Sequence, residues 1–511
     1  MKGILRAPAR PPGVVAAAAE FTLHSYRQAR TALARAIEVA GGSADIRRLR
    51  NVSLSYTGHR NMINQSRRAF PPWDREPASG TVIVDRAGER MFAENYTSYP
   101  GIGRFGGAWA LNGDHGAHWE PARNHHGSEI IATFSGRDAD GPWALIPRWI
   151  PPLMLLDAWD SGINLRSLGN TVRDGRPMHA LAWTQRDRAT ITLLVDADSG
   201  AFSGFEWIHD DGVYGDVTDR VEYSDWHAIR GVYFPTRRTD WFNHEIAREL
   251  DLDYRTDTAL ADDQFEIPPG YSQPQKTEAA ARLQKVADGV YLDTQVDGVM
   301  IVEFRDFLAV VDCPDSFRIA DSTIAALRDA FPDKPVRYVV PSHTHGDHGG
   351  GARAYFHAGA TLLTTPGHVE FYRRLAQVRR TISPDPYLAP DSGPAIEEFR
   401  DKHTISDGTQ TMVLHDVGPN AHSAELTIVH LPIHGIVWQA DVFISPATGG
   451  GVNPAMPIGI EFAEKLKSLG IDDFTALLEG HNRRVVTSEE FRRALALAGY
   501  RGYEPFRATQ I

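Results

Sequence analysis

The hydrophobic rhythm of this chain changes once, near its middle. Between residues 46 and 266 the sequence is mostly short runs broken by Gly, Pro, Asn and Asp, and the runs at 52–56, 81–85, 191–195, 202–208 and 231–234 carry period-two alternation. That period sends successive side chains to opposite faces, so it predicts antiparallel strands in one large curved sheet or open barrel. Past a polar, proline-containing stretch at 268–281 the pattern becomes strand, helix, strand. Apolar runs at 307–311 and 336–340 read as buried strands, and between them Ala320, Ile324, Leu327 and Phe331 recur at helical spacing. Helices covering sheet faces follow from such alternation.

The expected fold class is therefore α+β, in two parts. We expect a β-rich curved sheet or half-barrel domain over 25–272, a linker at 273–282 and an α/β region over 283–511. A chain of 511 residues is long for a single core, which supports the division. Helical spacing over 25–40, ended by Gly41-Gly42, predicts a helix opening the first part. Residues 1–24 are expected to be a flexible tail or a degenerate export signal, because Pro11 and Pro12 interrupt what would be the apolar middle of a signal.

Charge and cysteine content exclude several roles. Lys and Arg number 53 against 65 Asp and Glu, a net charge of −12, which argues against nucleic acid as a partner because phosphate binding needs basic surface. A single cysteine, Cys313, rules out an intrachain disulfide and a Cys-rich zinc module; it is expected to be a small buried hydrophobe. No apolar run approaches the roughly 18 to 20 residues of a membrane span, so a soluble protein is expected, with cytoplasm and periplasm both open.

Immediately after the strand at 336–340 comes Pro341-Ser342-His343-Thr344-His345-Gly346-Asp347-His348-Gly349-Gly350-Gly351. Imidazoles and a carboxylate crowded into one turn must be solvated, paired or metal-bound. Residues two apart in an extended or turning segment point the same way, so His343 and His345 are placed to grip one cation while Asp347 and His348 face a second. The glycines then allow a sharp turn into a helix whose buried side is Ala352, Tyr355 and Phe356.

His-x-His-x-Asp-His, preceded by a strand and followed by a helix, resembles the signature of the metallo-β-lactamase superfamily. The resemblance covers about residues 283–511 and implies an αββα sandwich with further ligands at strand ends. His422, in Gly418-Pro419-Asn420-Ala421-His422-Ser423, resembles the histidine completing the first metal site. Asp441, after the run 436–440, resembles the bridging aspartate, and His481 resembles the last histidine of the second site. Asp312, at the end of 307–311, matches the carboxylate that orients the His loop from outside the metal site. The resemblance thus implies His343, His345 and His422 on one ion, Asp347, His348 and His481 on the other, and Asp441 shared. Two Zn²⁺ are the expected cofactors, with iron or manganese compatible with the same imidazole and carboxylate donors.

The expected activity is metal-dependent hydrolysis of a small-molecule ester, lactone or amide, with β-lactams as one member of that class. Zinc lowers the pKa of bound water from about 15.7 to about 7, and Asp347 is placed to orient the resulting hydroxide and move its proton. The alternatives are an iron-dependent oxidoreductase or sulfur dioxygenase of the same fold, and a lipophile-binding protein with a subsidiary catalytic domain. The last rests on the Tyr/Trp-rich segments 195–207, 221–241 and 262–271, whose order is similar to the half-barrel of bacterial lipoprotein-carrier proteins; the same aromatics equally suit a filled sheet core. The first part is expected to shape the pocket, modulate access or mediate homodimer contacts. In the proline-rich segment 381–394, Tyr387 is a candidate to reach a developing oxyanion. His115, His118, His125 and His126 cluster without a strand-end carboxylate and are read as polar surface.

Overall fold

In the first half every strand but one pairs with the next along the chain, as short hairpin connections demand. The computed structural model describes residues 15–120, 130–267, 269, 282–296, 298–445, 452–471, 473–481 and 484–500. Among them lie three sheets of thirteen, seven and six strands, in a β-rich α+β protein. The thirteen-stranded sheet is antiparallel throughout, and the chain enters it in the middle, at Asn51–Asn61. It steps outward to one edge at Ile130–Ser135, crosses through the helices Asp140–Leu145 and Pro151–Asp160 to the other edge at Arg166–Arg173, and steps back. The last strand, Glu245–Thr256, closes against the first with Val52 opposite Thr256.

One face of this sheet is buried. In the first strand Val52, Leu54 and Tyr56 are buried while Ser55 and Thr57 are exposed, the alternation read from the sequence. Ala29, Leu33, Ala36 and Ile37 of the helix Val15–Val39 pack onto that face with Leu153, Met154 and Leu156 of Pro151–Asp160. Phe202, Phe205, Tyr223, Phe234 and Tyr254 fill the same core. Trp109, Trp149 and Trp207 instead border a cavity of 320 Å³ whose wall also carries Arg148, Arg238 and Arg248, so charges interrupt the apolar face there.

Two local expectations need correction. The opening helix begins at Val15, so the end of the expected 1–24 tail is helical; its Ala16 to Ala19 run has the highest helix propensity available. The helix Pro151–Asp160 lies inside a region read as strands and turns, and its two leading prolines, which suggest a break, sit at the first helical positions where proline is tolerated. Residues 1–14, together with residues 270–281, which hold nearly all of the expected linker, are outside the described residues. Among the described residues no helix is long and apolar enough to cross a membrane.

The other two sheets face each other. Ala309, Val311, Val340 and Leu363 of the seven-stranded sheet meet Met412, Leu414, Val429, Leu431, Trp438 and Leu478 of the six-stranded one. Val310, Val339 and Leu362 point the opposite way, onto Ala320, Ile324 and Leu327 of the helix Phe317–Ala330 and onto Tyr355, Tyr372 and Leu375 of Ala352–His357 and Pro366–Gln377. Strands buried on both faces read as unbroken apolar runs, as Leu308–Val311 does, while in 336–340 the exposed Arg337 interrupts the run. On the far side, Val437 and Leu477 pack against Phe462 and Leu466 of Pro457–Leu469 and Phe491 and Leu495 of Ser488–Leu497. The last helix starts with a capping box between Thr487 and Glu490.

The large sheet docks on this pair of sheets through its own hairpins. Asp216 accepts hydrogen bonds from the backbone N–H of Thr381 at 2.8 Å and of Ile382 at 3.0 Å, and Arg380 donates to Asp210 at 2.9 Å. Leu414 is fully buried between the two smaller sheets. Leu414→Ala should cost about 2–5 kcal/mol in denaturant unfolding, through lost transfer energy and the cavity left behind; a cost below about 1 kcal/mol would mean the two sheets are not packed as described.

Candidate metal centre

All seven candidate side chains stand where a strand has just ended or is about to begin. The strand Val336–Val340 runs into the loop bearing His343 and His345, and the short turn Gly346–Gly349 adds Asp347 and His348. His422 precedes Thr427–Leu431, Asp441 follows Ile436–Gln439, and His481 follows Ala476–Glu479. Asp312 and Asp441 leave their strands in the left-handed backbone region, at φ 67° and 62°. Non-glycine residues rarely accept that conformation, and strain of this kind collects at functional positions.

The side chains form two adjoining groups, His343, His345, His422 and Asp441 in one and Asp347, His348 and His481 in the other. His343 Nε2 lies 2.8 Å from His345 Nδ1 and 3.2 Å from His422 Nε2. Asp441 spans the groups: its Oδ2 is 3.3 Å from His422 Nε2 and 2.8 Å from His348 Nε2, and its Oδ1 is 2.6 Å from His481 Nε2. Asp347 Oδ2 is 3.7 Å from His348 Nε2 and 3.9 Å from His481 Nε2.

The opposite nitrogens of four of the rings are already committed. His348 Nδ1 donates to Asp312 Oδ2 at 2.6 Å, while Asp312 Oδ1 accepts from the Ser342 N–H at 2.8 Å. His345 Nε2 donates to the Ser66 carbonyl at 2.9 Å, and His422 Nδ1 donates to the Pro100 carbonyl at 3.0 Å. His343 Nδ1 is 3.0 Å from Ser342 Oγ. A neutral imidazole has one N–H, so rings whose outer nitrogens donate present lone pairs inward. Lone pairs this close cannot satisfy one another, and the buried His348 Nε2 and Asp441 Oδ2 lack a well-aligned hydrogen bond. A cation resolves the crowding, and the donor set fits a divalent metal.

Protonation is divided across the site. Burial, reinforced by His345 and His348, holds His343 well below the usual histidine range; burial with His422 brings His345 to about 3. For His348 and His481 the order is reversed. Burial still opposes their charge, but Asp441, with Asp312 and Asp347, lifts His348 well above its ordinary value, and Asp441 lifts His481 to about 9. Against its own burial, His481, His348 and His422 hold Asp441 well below the carboxylate range.

Paired sheets with helices on their outer faces, and these side chains at their strand ends in motif order, decide the architecture. The C-terminal half is a metallo-β-lactamase fold.

No family model matches the chain, and neither does any curated protein. Among solved structures this chain is similar to a metallo-β-lactamase from Pontibacter korlensis, at 16% identity and a TM-score of 0.32 over 43% of this chain and 99% of that one. It is similar to a metallo-β-lactamase from Hirschia baltica, at 16% identity and a TM-score of 0.31 over 42% of this chain and 96% of that one. It is also similar to the mono-zinc form of FIM-1 from Pseudomonas aeruginosa, at 19% identity and a TM-score of 0.30 over 42% and 94%.

Above these side chains lies a cavity of 580 Å³ with Asp347, Asp441 and His481 at its floor. Most of its wall comes from the large sheet, including Arg60, Gln65, Asn95, Tyr99, Ile102 and Phe105. None of these was singled out in the sequence, where no local pattern ties them to histidines so far along the chain. Tyr387 does not reach the cavity. Arg353 pairs with Asp385 at 2.8 Å and donates to the Tyr387 carbonyl at 3.2 Å, folding the segment back onto the helix layer, where the Tyr387 ring packs on Phe356. Cys313 is buried, and burial raises its thiol pKa far from reactivity. His118 stacks on Trp109 and His115 pairs with Asp114, while His125 and His126 are outside the described residues.

Asp441 raises His348 and brings His481 to about 9, so metal uptake there should release protons at pH 7.5. Titration calorimetry in two buffers of different ionisation enthalpy should give buffer-dependent heats; identical heats would show that these rings are neutral beforehand.

Proposed function

We propose that this protein is a hydrolase dependent on two divalent cations, zinc the first choice, acting on a small ester, lactone or amide. One observation carries the reading: the outer nitrogens of His345, His348 and His422 are committed while their inner nitrogens converge with Asp441 at the floor of an open cavity. In this reading His343, His345 and His422 hold one ion, Asp347, His348 and His481 the other, and Asp441 gives one oxygen to each. Bound ions would supply Lewis acidity and a water of lowered pKa, about 7 beside zinc. Iron and manganese suit the same donors.

The chain's own groups then divide the work. Gln65 Nε2 donates to Asp347 Oδ1 at 2.8 Å and fixes the carboxylate with Oδ2 turned toward His348 and His481; beside an ion held there, the remaining lone pair of Oδ1 would orient the nucleophile and take its proton. Burial opposes ionisation of Asp347, but His348 and His481 hold it below the usual carboxylate range, so it is an acceptor at neutral pH. Tyr99, Ile102 and Phe105 give the cavity an apolar wall for the body of a substrate. We read residues 25–272 and 283–511 as two units, the first completing the pocket of the second.

The test is a panel of lactones, β-lactams, aryl esters and phosphodiesters on metal-replete protein, beside Asp347→Asn. One carbonyl class should be hydrolysed, chelation should abolish turnover, and the variant should lose about a hundredfold or more in kcat. Turnover that survives chelation, or none across the panel, contradicts the reading.

A further inference from the structure

Two of the four hydrogen bonds that fix outer ring nitrogens originate outside the metallo-β-lactamase sandwich. Ser342 and Asp312 hold His343 and His348 from within it, whereas His345 donates to Ser66 and His422 to Pro100, both in loops of the thirteen-stranded sheet. We propose that these loops are part of the metal centre itself, so that ion affinity, and not only substrate access, is set by the large sheet. The inference rests on the reading of the seven side chains as metal ligands.

Both loops are built to hold a carbonyl in place. In the loop after Asn61, Asp74 is the organiser: its carboxylate accepts from Ser66 Oγ at 2.7 Å, from the Arg67 N–H at 2.7 Å and from the Arg67 guanidinium at 2.7 and 3.1 Å. Its carbonyl accepts from the Met62 N–H at 2.8 Å, closing the loop at its base. The next carbonyl, that of Arg67, accepts from the Ala424 N–H at 2.8 Å, so the loop grips the segment that carries His422 as well as His345. Gln65 of the same loop fixes Asp347. One organised loop therefore touches both ligand groups.

The second loop is the turn Tyr99-Pro100-Gly101-Ile102. Proline then glycine at the central positions, with Gly101 at φ +73° and the Ile102 N–H donating to the Tyr99 carbonyl at 3.1 Å, make it a type II turn. Glycine is required twice over here. A Cβ on Gly101 would fall 2.8 Å from the Ala421 carbonyl carbon and 2.9 Å from the His422 nitrogen, so only a bare backbone lets the Pro100 carbonyl approach His422. Tyr99 and Ile102 of this turn also line the cavity, which puts substrate contact and histidine positioning in one short segment.

A ring N–H held by a carbonyl fixes both the tautomer and the orientation of the ring, and losing such a partner typically weakens a metal site ten- to a hundredfold. The test compares matched pairs in the full chain. Asp74→Ala frees the Ser66 loop, while Asp85→Ala removes a carboxylate of the same sheet that accepts from Arg90 at 2.7 Å and from the Gly88 N–H at 3.1 Å, away from the centre. Gly101→Ala displaces the turn, while Gly113→Ala adds a methyl at another positive-φ glycine with nothing within 4 Å. Zinc affinity is read by chelator competition, with circular dichroism and thermal melting as the measure of folding.

Asp74→Ala and Gly101→Ala should lose about ten- to a hundredfold in zinc affinity while remaining folded, and Asp85→Ala and Gly113→Ala should lower the melting temperature with affinity within about twofold. Equal affinities within each pair overturn the inference and leave the metal-centre reading standing. If one member of a pair fails to fold, the other pair decides. A wild-type chain with no zinc affinity overturns both.

Discussion

The structure turns on a crowding that ordinary hydrogen bonding cannot relieve. Imidazole nitrogens approach one another to 2.8 and 3.2 Å with a shared aspartate among them, and their other nitrogens are spent on fixed acceptors. Burial strips water from the group and keeps His343 and His345 from charging, so protons cannot relieve the crowding around those two rings. What remains is a cation. Everything else in the fold can be read as the means of bringing these groups to one place: strands that end together, left-handed turns at Asp312 and Asp441, and Gly349 and Gly350, where a Cβ would collide with Tyr372 and the Asp315 carbonyl packed against the His loop.

The constraint also explains why the chain's two textures belong together. The two smaller sheets and their helices alone would supply the seven side chains and two of their outer partners. The thirteen-stranded sheet brings the Ser66 and Pro100 carbonyls, the Gln65 amide and most of the cavity wall, and is anchored to the helix layer through Asp216 and Arg380. A displacement of the sheet would therefore reach the floor of the cavity as well as its sides.

Much of this was legible in the sequence, for identifiable reasons. His343, His345, Asp347 and His348 are adjacent in sequence because one turn presents them, and a dense local pattern is the easiest kind to read. His422, Asp441 and His481 could be placed because each follows or precedes an apolar run short enough to be a buried strand. The outer carbonyls were invisible, since every residue has one and only the folded path brings Ser66 to His345. Tyr387 misled for the opposite reason: prolines and polar residues suggest an open loop, but Arg353 draws the segment into the helix layer. The helix Pro151–Asp160 was hidden by prolines whose position at its start makes them harmless.

The most direct test of the central claim is to count and locate divalent ions in the purified protein, by elemental analysis together with anomalous X-ray scattering at the metal edge. The account predicts two ions per chain, one among His343, His345 and His422 and one among Asp347, His348 and His481, with Asp441 between them. Crystals grown in excess zinc that show no anomalous peak within bonding distance of these side chains would contradict it.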